Sequence, residues 1–150
     1  MDTTHSPPTP EPAREGVHVT TVNESWELIR EAVVGRLAVI SEGAPDIFPV
    51  NFAVDRGSVV IRTAGGTKHQ AAHGHDVAFE VDGYNPDSAE AWSVVLKGRA
   101  VEVYDVDEAI QVMHLPLAPW THGSKPHFLR LVPGSVTGRR FHIALGARRG

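Results

Sequence analysis

The run Ile61-Arg62-Thr63-Ala64-Gly65-Gly66-Thr67-Lys68 holds the residue types best placed to do chemistry in this sequence. It reads as a strand, a glycine turn and the start of a helix. Glycines let backbone amides approach an anion closely, and a helix start offers unpaired N–H groups and the positive end of a dipole. Thr67 adds a hydroxyl, Lys68 a compact charge and Arg62 a planar fork of donors. Together they suit a terminal phosphate. The G-x-x-x-x-G-K-[ST] spacing is missing, so this is not a P-loop. Taken alone, the same run also fits an ordinary glycine turn with solvated charges.

Pro49 is the second signal. Proline removes a ladder donor, so within a strand it marks an edge or a bulge. The backbone of Val50 and the side chain of Asn51 are then free to meet a ligand, although a plain edge strand would look the same. Trp120, in a proline-rich loop, either flanks a ring or plugs one end of the fold. His69 and His73 stand four apart, a spacing compatible with a metal. Only Asp76 is near them in sequence, and cysteine is absent, so no metal site is expected and these histidines read as a solvated helix face. His127 and His142 read as packed or interfacial. Glu80 and Asp82 alternate with Val77, Phe79 and Val81 and are expected to point outward. Lys97 is assigned to solvent or structure.

These residues need elements to hold them. Thr21 followed by Glu24 has the capping-box spacing, and Trp26, Ile29, Ala32 and Val33 make an apolar helical stripe that ends at Gly35 as a C-cap. The period then changes to two. A hairpin turns at Glu42–Pro45 and returns along Ile47–Val54, with Phe48, Val50, Phe52 and Val54 on one face and Ile47, Pro49, Asn51 and Ala53 on the other. Asp55-Arg56-Gly57 turns into a strand over Ser58–Thr63, and a short helix covers Thr67–Ala72. Strands follow at Val77–Val81 and Trp92–Val103, the latter bulged at Gly98. A helix from Asp107 to His114 and two strands, Phe128–Val132 and Val136–Ile143, complete the pattern. Short antiparallel strands with few helices predict a mainly β fold, a barrel in preference to a doubly wound sheet.

The composition narrows the field further. The 150 residues are 41% hydrophobic and 21% charged, enough for one packed domain. Residues 1–15, with Pro7, Pro8, Pro10 and Pro12, read as a disordered tail before a domain over 16–150. No signal peptide, transit peptide or membrane span is legible, which points to the cytoplasm. A net charge of −4 argues against nucleic acid as a partner. Without cysteine there are no disulfides and no thiolate chemistry.

Four segments, Asp46–Phe52, Arg62–Lys68, Val77–Asp82 and Trp92–Ala100, come in an order that resembles the pyridoxamine 5′-phosphate oxidase-like superfamily. More narrowly they resemble its small actinobacterial branch, which is related to nitroimidazole-resistance and deazaflavin-dependent reductases. The resemblance spans residues 20–142 and implies a split β-barrel homodimer with FMN, or in some branches F420, at the subunit interface. It lays Pro49-Val50-Asn51 along the isoalloxazine and sets Arg62, Thr63, Thr67 and Lys68 at the phosphate. The oxidases themselves carry an arginine and a lysine on the strand matching Ile47–Val54, and a substrate-gripping segment after the last strand. Both are missing here, so pyridoxamine phosphate oxidation is not expected. The implied function is a flavin-dependent oxidoreductase acting on a small molecule. An F420 reductase would use Arg56, Lys125, Arg139 or Arg140 for the longer anionic tail, and Arg139 and Arg140 are also the next candidates for the phosphate. The rival of another class is a non-catalytic flavin or haem carrier, for which His69, His73 and His127 are nominal axial ligands.

Overall fold

The computed structural model describes residues 16–63, 66–103 and 127–143. The elements run β1 (Val17–Val19), α1 (Val22–Glu31), β2 (Val34–Ser41), β3 (Ala44–Asp55), β4 (Ser58–Thr63), α2 (Thr67–Ala72), β5 (Asp76–Asn85), β6 (Glu90–Glu102) and β7 (His127–His142). Trp120, Lys125 and the expected helix over Asp107–His114 lie outside the described residues, as does the tail.

The capping box forms as the sequence requires. The Glu24 amide donates to Thr21 Oγ1 at 3.1 Å, and the Thr21 amide donates back to Glu24 Oε1 at 3.4 Å. Accepting that amide holds the Glu24 carboxyl below its ordinary value of 4.5. Leu28 and Ile29 are buried against the sheet. The helix stops earlier than expected, with Ala32 as an extended C-cap and Val33 77% exposed. Gly35 belongs to β2 instead, where a Cβ would collide with the Phe79 ring. Its smallness serves a close approach between strands and not a helix cap.

Both hairpin turns follow from local chemistry. Glu42 and Gly43 have φ of 53° and 77°, and Arg56 and Gly57 have 49° and 69°. Two successive positive φ values make the type I′ twist that fits paired strands.

All pairings between these strands are antiparallel, in the order β1-β7-β4-β3-β2-β5-β6, and β6 also pairs with β7. Strands β2, β3, β4, β7, β6 and β5 therefore close a barrel, with β1 added to the far end of β7. The closure is narrowest between β2 and β5, where only Arg36–Ala38 pair with Ala78–Glu80. Inside lie Leu37, Val59, Ile61, Phe79, Val81, Val94, Leu96, Leu129 and Leu131, each at most 1% exposed. Phe79 meets Phe52 edge to face at 5.0 Å between ring centroids.

The two strands expected after residue 127 are one, β7. Pro133 does not break it, because β4 pairs with β7 only through Leu131 and β1 only from Arg139 onward. Between them the far side of β7 is an edge, where proline's missing donor costs no ladder bond. The register with β6 slips between Lys97 and Gly98, but the extra residue is Gly134 on β7; the bulge expected on β6 at Gly98 lies on the strand opposite it, where Gly98 faces Pro133. Among the described residues no helix is long and apolar enough to cross a membrane.

Candidate functional site

Strand alternation sends the residues of β3 to two sides. Val50 and Phe52 are buried, whereas Ile47, Pro49 and Asn51 are exposed. Across the β2–β3 ladder Asn51 lies opposite Val34, Pro49 opposite Arg36 and Ile47 opposite Ala38. Three aliphatic side chains are exposed on this outer face: Val34 is 48% exposed, Ile40 61% and Ile47 60%. A groove of about 570 Å³ opens at the Ala38–Ile40 end of this face, lined by Ala38, Ile40, Pro45, Ala78, Lys97 and Ser135, and neither Pro49 nor Asn51 lines it. Lys97 is exposed, as expected, but it also lines this groove.

Beside the apolar strip stands a charged one that sequence reasoning missed. Arg36 Nη1 donates to Glu80 Oε1 at 3.0 Å and to Asp82 Oδ2 at 3.2 Å. Only the β2–β5 pairing brings these residues together. Partial burial pushes the Glu80 carboxyl above its ordinary value of 4.5, with Asp82 adding to the rise and Arg36 opposing it. The folded chain thus binds this proton more tightly than the unfolded chain does. As pH rises from 4.5 through the raised value, ionising Glu80 costs stability, and below 4.5 that cost is absent. Glu80→Gln is expected to remove this slope, so that its stability relative to wild type grows as pH rises across that window. Chemical denaturation at several pH values checks it; a constant difference would contradict it.

The phosphate candidates divide between the two sides. Arg62 lies on β4 opposite Phe128, half-buried, and alternates with the inward Ile61 and Thr63. Extending the β3–β4 register by one pair beyond Phe52 and Ile61 puts Asn51 beside Arg62. Thr63 is buried and faces the barrel interior, where its hydroxyl lies 3.0 Å from His69 Nδ1. Gly66 caps α2 at φ 88°, with nothing within 4 Å of a Cβ there, and the backbone of Thr67 and Lys68 opens the helix. Arg139 is exposed on β7 opposite Ser93, and Arg140 donates to Glu90 at 3.1 Å. Pro49, Asn51 and Arg62 thus share the outer face, while Val50 points inward and only its backbone lies along that face.

His69 departs from expectation: it is buried, not on a solvated face. Its Nε2 lies 3.2 Å from Glu102 Oε2, and His127 Nδ1 lies 2.7 Å from Glu102 Oε1. The missing carboxylate comes from β6, far along the chain. No local spacing could have revealed it.

A family model described as pyridoxamine 5′-phosphate oxidase matches residues 21–140. The chain belongs to that family. It is 32% identical over 137 residues to an uncharacterised protein of Mycobacterium tuberculosis, covering 87% of this chain and 89% of that one. The structure of a FAD-binding protein from Mycobacterium smegmatis superposes with a TM-score of 0.78 at 34% identity, covering 85% of this chain and all of the other. A Corynebacterium glutamicum protein, provisionally named a pyridoxamine 5′-phosphate oxidase, gives 0.75 at 38% identity over 85% of this chain and 99% of its own. The fold is accordingly the split β-barrel of this family.

Proposed function

We propose that the protein binds a flavin nucleotide on the outer face of the barrel and uses it as an oxidoreductase for a small molecule. The observation that carries this reading is the likeness to the Mycobacterium smegmatis FAD-binding protein, which spans that protein completely. The residues present fit the group. Arg62 and the glycine-led start of α2 offer donors to a phosphate, and the exposed Pro49 and Asn51 offer a flat strand for a ring. When bound, the flavin supplies the hydride or electron transfer. The chain's own part is to hold the phosphate through Arg62, Gly66, Thr67 and Lys68, with Thr63 bracing α2 through His69. Asn51 orients the polar edge of the ring, the amide of Val50 steadies charge upon it, and the barrel keeps water from one face.

FMN is the smallest cofactor that uses all these donors, and the likeness to a FAD-binding protein adds FAD. F420 would extend an anionic tail toward exposed Arg139. Mass spectrometry of the small molecule released on denaturation separates the three. A flavin supports the reading, F420 replaces the cofactor, and haem or nothing overturns it. Oxidation of a nicotinamide donor by the loaded protein then separates an oxidoreductase from a carrier.

A homodimer is also proposed. Val34, Ile40 and Ile47 leave three aliphatic side chains exposed on one face, which a second copy would cover. Light scattering at micromolar concentration is expected to give the mass of two chains; the mass of one would contradict it.

A further inference from the structure

We propose that His69, Glu102 and His127 form a site for a divalent transition-metal ion of the zinc class, separate from the outer face where the flavin is proposed. The three residues come from α2, β6 and β7, and one ligand atom from each lies within 4.8 Å of the others. Two imidazole nitrogens and a carboxylate oxygen are a set that zinc takes with an open fourth position for solvent.

Burial and a partner behind one ring set the cluster apart from a solvated ion pair. His69 and Glu102 are deeply placed, with side chains 11% and 12% exposed. Ligands on a tetrahedron of ~2.1 Å bonds stand about 3.4 Å apart, close to the 3.2 Å between His69 Nε2 and Glu102 Oε2. The His69 ring is also held from behind. Thr63 Oγ1, 3.0 Å from Nδ1, can accept the Nδ1 proton once an ion occupies Nε2 in place of the proton shared with Glu102. Such a partner behind the ring fixes tautomer and orientation, as metal-bound histidines require. His127, whose side chain is 40% exposed, gives the ion a way in. The ion would replace the His127–Glu102 hydrogen bond and tie α2 to the barrel wall.

The test is calorimetric titration of the full-length, chelator-treated protein with Zn²⁺ alone. One ion per chain is expected, with a higher melting temperature in its presence. His127→Gln, at the most exposed of the three positions, is expected to lower affinity by at least about a hundredfold, since even the loss of a residue behind a ligand costs ~10–100-fold. Thr63→Val should lower it by about tenfold, and exposed His75→Ala should leave it unchanged. If Glu102→Gln fails to fold, His127→Gln decides. No saturable binding at micromolar Zn²⁺, or equal affinity in wild type and His127→Gln, overturns the site. Because the readout is zinc binding, it stands or falls independently of any flavin.

Discussion

Lys68→Ala is expected to weaken flavin binding by roughly ten- to a hundredfold and to leave the melting temperature of the flavin-free chain unchanged. The substitution removes one charge-assisted hydrogen bond to phosphate, a class of interaction worth on the order of 1.5–3 kcal/mol, and about 1.4 kcal/mol corresponds to a decade in affinity. The phosphate stays in place in both oxidation states of the ring. The loss should therefore appear in binding, with little change in turnover once the site is saturated. Riboflavin lacks the phosphate and should bind the variant as it binds wild type, so the affinities of FMN and riboflavin should converge. Arg30, exposed on α1, is the charge-removal control. Fluorescence titration measures all of these. If Lys68→Ala binds FMN as tightly as wild type, the phosphate lies elsewhere, with exposed Arg139 the first place to look.

Gly98→Ala is expected to destabilise the fold by about 3 kcal/mol, near the upper end of what overpacking costs. A Cβ at this position would collide with the Val132 carbonyl oxygen and stand 2.9 Å from its carbon and 3.0 Å from Pro133 Cα. All three are backbone atoms, and no rotamer change can relieve them. The strands would have to part at the one place where their register slips. Gly134→Ala across the bulge meets only Lys97 O at 3.5 Å, an ordinary contact, and should cost far less. Thermal or urea unfolding of the two variants compares them directly; equal stabilities would mean that the bulge relaxes freely.

Features governed by neighbours in sequence were legible. The Thr21–Glu24 capping box and the Arg56-Gly57 turn depend on residues within a few positions. The end of α1 was not, because Gly35 answers to Phe79 on another strand. Nor was the continuity of β7: Pro133 and Gly134 look like a break unless one knows that β4 and β1 leave that stretch an open edge. The candidate site shows the same division. Alternation along β3 put Pro49 and Asn51 on a shared outer face, as observed. The Arg36–Glu80–Asp82 strip and the His69–Glu102–His127 cluster exist only through strand pairing. Thr63 looked like a partner of Arg62, yet the period of two sends it inward to His69.

Titration of the ligand-free chain with FMN and with FAD, followed by the fluorescence of the flavin, decides whether the barrel holds a flavin. Saturation at one flavin per chain is expected for at least one of the two, with half-saturation in the micromolar range or below and riboflavin binding more weakly. A linear, non-saturating response to both, from a chain shown to be folded, would contradict it.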